Sequence, residues 1–575
     1  MSNNLSLVIF LFLCTQLYFA SLFIIQNDPE FNLRWLSFWS HLIAVLSIFV
    51  FYISKIAKEI NPHKTQPKNI FILLFFLIFI GTINFFEISN YPFVSLGDEV
   101  RDGGLNAMEI ATGTRKNLFE YGAYDAHGLV IPTITSFSYR IFQNSVLTYR
   151  IPAAIFACFD VILVYIILKL LINQTAGLFG ALVLCTLPLH MFFARTQIVV
   201  SLNSFLSSAT ILSLFLFLKR KQTVDYIFMG TILGFTFNFH AAIRVVAILV
   251  LLFITSKEVL TIIKHIIKKL PEVHIRIRNL ILLIVFCFVG FGPRILFTNS
   301  ANFLHTSRFF LQKDNNSYIS LPKLDDMITL KNNYIKSLLV WFYEPTFYFF
   351  GQYKPILTPF LTIFFFLGII YSSFLIKKTI LYFLLSLVFV IPFFNSAITD
   401  VINADHRLSP MFPVGAIFIG IGISYTFVLM RNKYLYYLLG VLILGYLLFF
   451  QTYKFFQNRP ADIFHNVGDY LTMHTIQFLK SNKITGDICL LTSPDNTTSL
   501  NYPHYSEQFQ YFLPNITVQT LPSEEIRNNE IYIYRGNCLK KYEKTTYKYI
   551  SCSDVSNNYH CPLNFNEVMM IHYQE

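Results

Sequence analysis

The chain has 575 residues, 54 % of them hydrophobic and only 13 % charged, where an ordinary soluble domain carries roughly 25 % charged residues. Its apolar residues fall in runs of about 20, the length that crosses a hydrocarbon core of roughly 30 Å, which excludes a soluble fold and, because barrel strands alternate, a β-barrel. The net charge of +12 gathers in short segments between the runs, with no basic patch interleaved with aromatics, so nucleic acid is not an expected partner.

The fold class expected is a polytopic α-helical membrane protein. Spans are predicted near 5–25, 36–54, 69–88, 151–171, 176–193, 200–218, 225–240, 241–256, 279–297, 355–376, 379–396, 407–430 and 434–453, about thirteen in all. The run 225–256 also reads as one broken helix. The first run, Leu5 to Ile25, lacks a basic leader and is long for a signal segment, so it is expected to be retained.

Alternate connections are basic: Lys55, Lys58, Lys64 and Lys68; Lys219, Arg220 and Lys221; Lys257 through Arg278; Lys377 and Lys378; Arg431 and Lys433. All fall on one side if the N-terminus is cytoplasmic. Residues 89–150, 298–354 and 454–575 then lie outside the cytoplasm. No GxGxxG or phosphate-loop motif is present.

The first outer loop holds the richest chemistry. Asp98 and Glu99 stand just past the third apolar run, where adjacent acids suit proton abstraction or metal binding better than packing. A helix is predicted over Val100 to Thr112, with Asp102 and Glu109 on one face as catalytic acids or a solvated surface. Tyr124-Asp125-Ala126-His127-Gly128, an amphipathic stretch from Pro132 to Phe142, and Arg150-Ile151-Pro152 follow. Acids, a histidine and arginines near one interface suit transfer from a phosphorylated lipid, with cations on the leaving phosphate.

Further along, Arg195, His240 and Arg244 (the last two four apart), Arg294, Arg308 and Asp405-His406-Arg407 sit at the outer ends of spans. Charge at membrane depth points to function, although Arg150, Arg294 and Arg407 also read as snorkelling side chains. Asp160, inside a span, also reads as half of a buried polar pair.

The tail, 454–575, is polar. Ala461 to Ser481 reads as an amphipathic helix, and Ile488 to Thr492 and Glu530 to Tyr534 as strands, giving a small α/β domain. Cys489, Cys538, Cys552 and Cys561 in an extracytoplasmic domain suggest two disulfides; a zinc site with His560 is the alternative.

In these motifs the chain resembles the GT-C membrane glycosyltransferases, nearest to the dolichyl-phosphate-mannose protein mannosyltransferases and the bacterial lipid A aminoarabinose transferases. Asp98-Glu99-Val100-Arg101 resembles the family's acidic motif. The likeness continues through His127-Gly128, Phe142 to Pro152, Ala176 to Ala181, Leu187 to Arg195, Gly234 to Arg244 and Arg407-Leu408-Ser409-Pro410. It covers about 69–250 well and reaches more weakly to about 430.

The resemblance implies an inverting transferase that moves a sugar from a polyprenyl phosphate to a glycan, lipid or protein hydroxyl outside the cytoplasm. Asp98 would be the general base and Glu99 its support. Arg101, His127, Arg195, His240, Arg244 and Arg407 would contact donor or phosphate, and a divalent metal is possible. The loop 298–354 would resemble the family's mobile loop. Residues 1–57 form an added N-terminal hairpin, 58–453 the catalytic membrane domain. Gly128 departs from the family, which often has proline there. The alternatives are a transporter or lipid-linked glycan flippase, a surface-polysaccharide polymerase or ligase, and a non-enzymatic scaffold. A bacterial inner or plasma membrane is the expected location.

Overall fold

The structure is a computed structural model. It describes residues 2–59, 67–122 without 93, 94 and 96, 127–298 without 271, 324–346, 354–374, and 379–457 without 400 and 431. In the tail it describes scattered positions between 472 and 483, then 486–492, 503–522, 530–535, 548–550 and 570–574. Most of the loop 298–354, Arg308, Asp125, His560 and most of the helix expected at Ala461 to Ser481 lie outside the described residues.

Among the described residues eight helices are long and apolar enough to cross a membrane, nine if one bent pair counts as a span. The chain is an integral, multi-pass membrane protein. The expected count of about thirteen is not confirmed among the described residues, where Thr223–Thr236 has only 14 residues.

Local chemistry explains the breaks. Gln174–Thr186 starts on Asn173, whose side chain accepts from Ala176 N at 2.8 Å. It ends where Pro188 holds Leu187 extended, and the chain turns 64° into Pro188–Arg195. The run 225–256 divides at His240, whose Nδ1 accepts from Ala242 N at 3.1 Å and caps Ala241–Ile267.

Helix contacts use small residues, as apolar surroundings favour. A Cβ on Gly234 would stand 1.8 Å from Cys287 O, and one on Gly290 2.2 Å from Thr231 O. Thr223–Thr236 and Val273–Phe291 therefore meet backbone to backbone. The N-terminal helix Arg34–Glu59 packs on this pair, and Ser2–Asn27 packs on Arg34–Glu59. Tyr52 donates to Asp225 at 2.9 Å and stacks on Phe228 at 3.9 Å.

In the tail, β1 (Gly486–Thr492), β2 (Ile516–Pro522), β3 (Glu530–Arg535), β4 (Lys548–Ile550) and β5 (Met570–Gln574) form one sheet in the order β2-β1-β3-β5-β4. Pairs β1–β2 and β3–β5 are parallel; β1–β3 and β4–β5 are antiparallel. The two predicted strands lie within β1 and β3. Pro503–Phe512 is the helix between β1 and β2. Of the four tail cysteines expected to form disulfides, Cys489 is disulfide-bonded; Cys538, Cys552 and Cys561 lie outside the described residues. Cys14, Cys158, Cys185 and Cys287 are unpaired and packed in the helical core, as small apolar side chains are.

Candidate active site

The loop after the third apolar run is held as a broken helix. One turn, Gly97–Glu99, runs into a π-helical stretch, Val100–Leu105, and then Asn106–Thr112, which ends on Gly113 at φ 90. π-Helical turns are rare and gather at functional sites.

Neighbouring helical residues point about 100° apart, so Asp98 and Glu99 face different surroundings. Glu99 turns inward and is fully buried against Arg150. The pair is bidentate: Arg150 Nε donates to Glu99 Oε1 at 2.9 Å and Nη2 to Oε2 at 3.2 Å. Arg150 Nη1 also donates to the carbonyls of Ile88 (3.1 Å) and Pro92 (2.8 Å). Arg150 thus ties the loop to the start of Val146–Leu171.

Asp98 keeps 21 % side-chain exposure, against 4 % for Asp102. Arg101 joins them: its Nη2 lies 2.7 Å from Asp98 Oδ1 and its Nε 2.7 Å from Asp102 Oδ1. Glu109 faces outward and pairs with Arg115 at 2.8 Å, the solvated reading of that face.

Three histidines converge opposite the acids. His127 stacks on His240 with centroids 4.8 Å apart, and His406 stands edge-on to His240 at 6.1 Å. Asp98 lies within electrostatic reach of His406. A cavity of about 20 Å³ lies among Asp102, His127, Gly128, Gln197, Phe239 and His240. That is room for one water-sized group, such as a hydroxyl or a phosphate oxygen.

Two buried guanidiniums back this wall. Arg244 Nε donates to Phe239 O at 2.8 Å. Arg294 Nη1 donates to Asn238 O at 2.6 Å, and its guanidinium carbon lies 3.9 Å from the centre of the Tyr121 ring. Arg294 is 1 % exposed, and its Nε and Nη2 have no hydrogen-bond partner among the described residues. Gly128 is explained by the same contact. A Cβ there would fall 1.8 Å from Arg294 Nη1 and 2.5 Å from Asn238 O.

The structure does not bring every expected residue here. Arg195 points away from the cavity and donates to the carbonyls of Tyr91 (3.0 Å), Ile83 (2.6 Å) and Phe86. Its guanidinium carbon lies 4.9 Å from the Phe456 ring centre, so it clamps the helix end near residue 85. Arg407 is partly buried on the short helix Asp405–Leu408. Asp160 pairs with His190 at 3.2 Å and accepts from Ser208, inside the bundle. Among the described residues no group of three or more His, Cys, Asp or Glu side chains is placed to hold a metal ion.

The tail reaches the acidic loop. Gln508 Nε2 donates to Ser95 O at 3.1 Å, and the Tyr511 hydroxyl lies 3.1 Å from the carbonyl oxygens of Gln143 and Ser145. A Cβ on Gly104 would stand 3.1 Å from the Tyr511 ring, so the glycine admits it. Burial pushes the Tyr511 phenol above its ordinary value.

Sequence reading gave Arg294 only as a helix-end cation and missed Gln197, Asn238 and Tyr511. The signal for Arg294 was Gly128, a glycine where the family often has proline.

Residues 126–289 match the family model for dolichyl-phosphate-mannose-protein mannosyltransferase. The resemblance read from the motifs is borne out by that segment, which holds His127, Arg195, His240 and Arg244; Asp98 and Glu99 stand upstream of it. Among solved structures the chain is similar to ArnT from Cupriavidus metallidurans in the apo state, at 11 % identity and a TM-score of 0.40, covering 77 % of this chain and 74 % of that one. The same enzyme bound to undecaprenyl phosphate gives 12 % and 0.38 over the same shares. Oligosaccharyltransferase AglB from Archaeoglobus fulgidus, in complex with an inhibitory peptide and a dolichol-phosphate, gives 12 % and 0.39, covering 75 % of this chain and 59 % of that one. No curated protein matches the chain.

Proposed function

We propose that the protein is an inverting glycosyltransferase. It moves a sugar from a polyprenyl phosphate to a hydroxyl on the extracytoplasmic side, with the N-terminus in the cytoplasm. The observation that carries this reading is the division of the acids: Glu99 is sealed against Arg150, while Asp98 is steered by Arg101 and remains accessible.

Asp98 takes the proton from the acceptor oxygen as that oxygen attacks the anomeric carbon. The bond from that carbon to the phosphate oxygen breaks, and its electron pair leaves on the phosphate. Attack from the opposite face inverts the centre. A lipid phosphate is already a stable anion, so cations serve it better than a general acid. Arg294 and Arg244 are suited to that role, with His127 and His240 lining the approach. Glu99 and Arg150 position the loop, and Arg195 supports the fold.

The test is transfer from synthetic polyprenyl-phosphate sugars by wild type and Asp98→Asn. Loss of a general base lowers turnover by roughly 10²- to 10⁴-fold, with KM little changed. Equal turnover in the two would remove Asp98 from the chemistry. Transport of the lipid without sugar transfer would replace the reading with a flippase.

A further inference from the structure

A second cavity lies at the opposite ends of the helices. Arg150 and Leu170 stand twenty residues apart on Val146–Leu171, about 30 Å at 1.5 Å per residue. The cavity at the Leu170 end therefore faces the other side of the membrane from the acidic loop. It encloses about 390 Å³, and Leu170, Phe215 and Leu218 form part of an apolar wall. Lys219, Lys221 and Lys257 enter it from two helices and the turn between spans.

Three cations meet here, and among the described residues no carboxylate forms an ion pair with any of them. The nearby acids have other partners. Glu258 is buried against Arg276 at 3.1 Å, and Asp225 faces Arg220 at 3.5 Å and Tyr52. Lys221 also holds the left-handed cap of Asn203–Arg220 at φ 54, a position that favours glycine. The stems of Lys219 and Lys257 run along Phe215 and Phe253, with Nζ 6.0 and 5.9 Å from the ring centres. Each ammonium thus stands at the polar mouth of an apolar wall.

We infer that this cavity binds an anionic phospholipid: the phosphate headgroup sits among Lys219, Lys221 and Lys257, and an acyl chain lies against Leu170, Phe215 and Leu218. Basic pockets between membrane helices recognise such headgroups. A free phosphate would use the lysines but not the apolar wall.

The full chain, purified in detergent, is titrated with phosphatidylglycerol, phosphatidylcholine and inorganic phosphate and read by native mass spectrometry. Wild type retains one phosphatidylglycerol with at least about a tenfold preference over phosphatidylcholine. Each lysine contributes roughly fivefold, so Lys219→Gln/Lys221→Gln/Lys257→Gln loses the preference, and the matching triple arginine variant keeps it. Leu218→Trp keeps the charges, fills the apolar side and also weakens retention, which answers the question if the triple glutamine variant fails to fold. Equal retention of the two lipids, unchanged preference in the glutamine variant, or displacement of phosphatidylglycerol by millimolar inorganic phosphate would each overturn the inference. None of these readings depends on sugar transfer.

Discussion

The Glu99–Arg150 pair permits a sharp energetic test. Both side chains are essentially without solvent, at 0 % and 1 % exposure. Glu99→Gln leaves the Arg150 charge buried without its counter-ion, and removing one partner of such a pair costs about 3–5 kcal/mol. Arg150→Met strands the Glu99 carboxylate and also frees the carbonyls of Ile88 and Pro92. Those add about 1 kcal/mol each, making Arg150→Met the worse single variant. The double variant has no stranded charge and loses mainly the two carbonyl bonds, so it is expected to be more stable than either single one. On these figures the single losses sum to about 8–12 kcal/mol against about 2 in the double variant, a coupling of about 6–10 kcal/mol. Reversible denaturant unfolding in micelles, followed by tryptophan fluorescence, measures all four corners of the cycle. Additive losses in the double variant would refute the view that these charges hold the loop through each other.

Gly128→Ala places a methyl group on Arg294 Nη1 and is expected to destabilise by about 1–3 kcal/mol. Truncating the neighbour in Gly128→Ala/Arg294→Ala should recover part of that loss, read by thermal stability in detergent. Tyr511→Phe removes a hydroxyl near two carbonyls and should loosen the tail helix by about 1 kcal/mol. Because burial raises the Tyr511 pKa above its ordinary 10.0, the folded state holds that proton more tightly than the unfolded chain. This contribution is complete below pH 10 and is lost as pH rises through the folded value. Thermal stability should therefore fall more steeply above pH 10 in wild type than in Tyr511→Phe.

The membrane-spanning character was legible because span length is a direct consequence of the bilayer. Legibility ended where residues distant in sequence decide a role. Asp98 and Glu99 look equivalent in the chain; only Arg150, 51 residues away, separates a buried strut from an accessible acid. Arg195 read as a donor contact from the resemblance and because an intramembrane arginine suggests function, yet the carbonyls of Ile83, Phe86 and Tyr91 satisfy it equally well. The boundary at 240/241 was read as the weakest of the span ends; no Pro or Gly marks it, and the break rests on a side-chain nitrogen capping the next helix.

The contact between Gln508 and Ser95 spans 413 residues of chain. A ribosome adding 5–20 residues per second needs roughly 20–80 s to cover that distance. Through that interval the acidic loop exists without the helix that packs on it, while spans between them are being placed in the bilayer. Completion of the loop is therefore timed by the end of synthesis, and a chain cut short before residue 503 lacks a piece of its own acidic loop's packing.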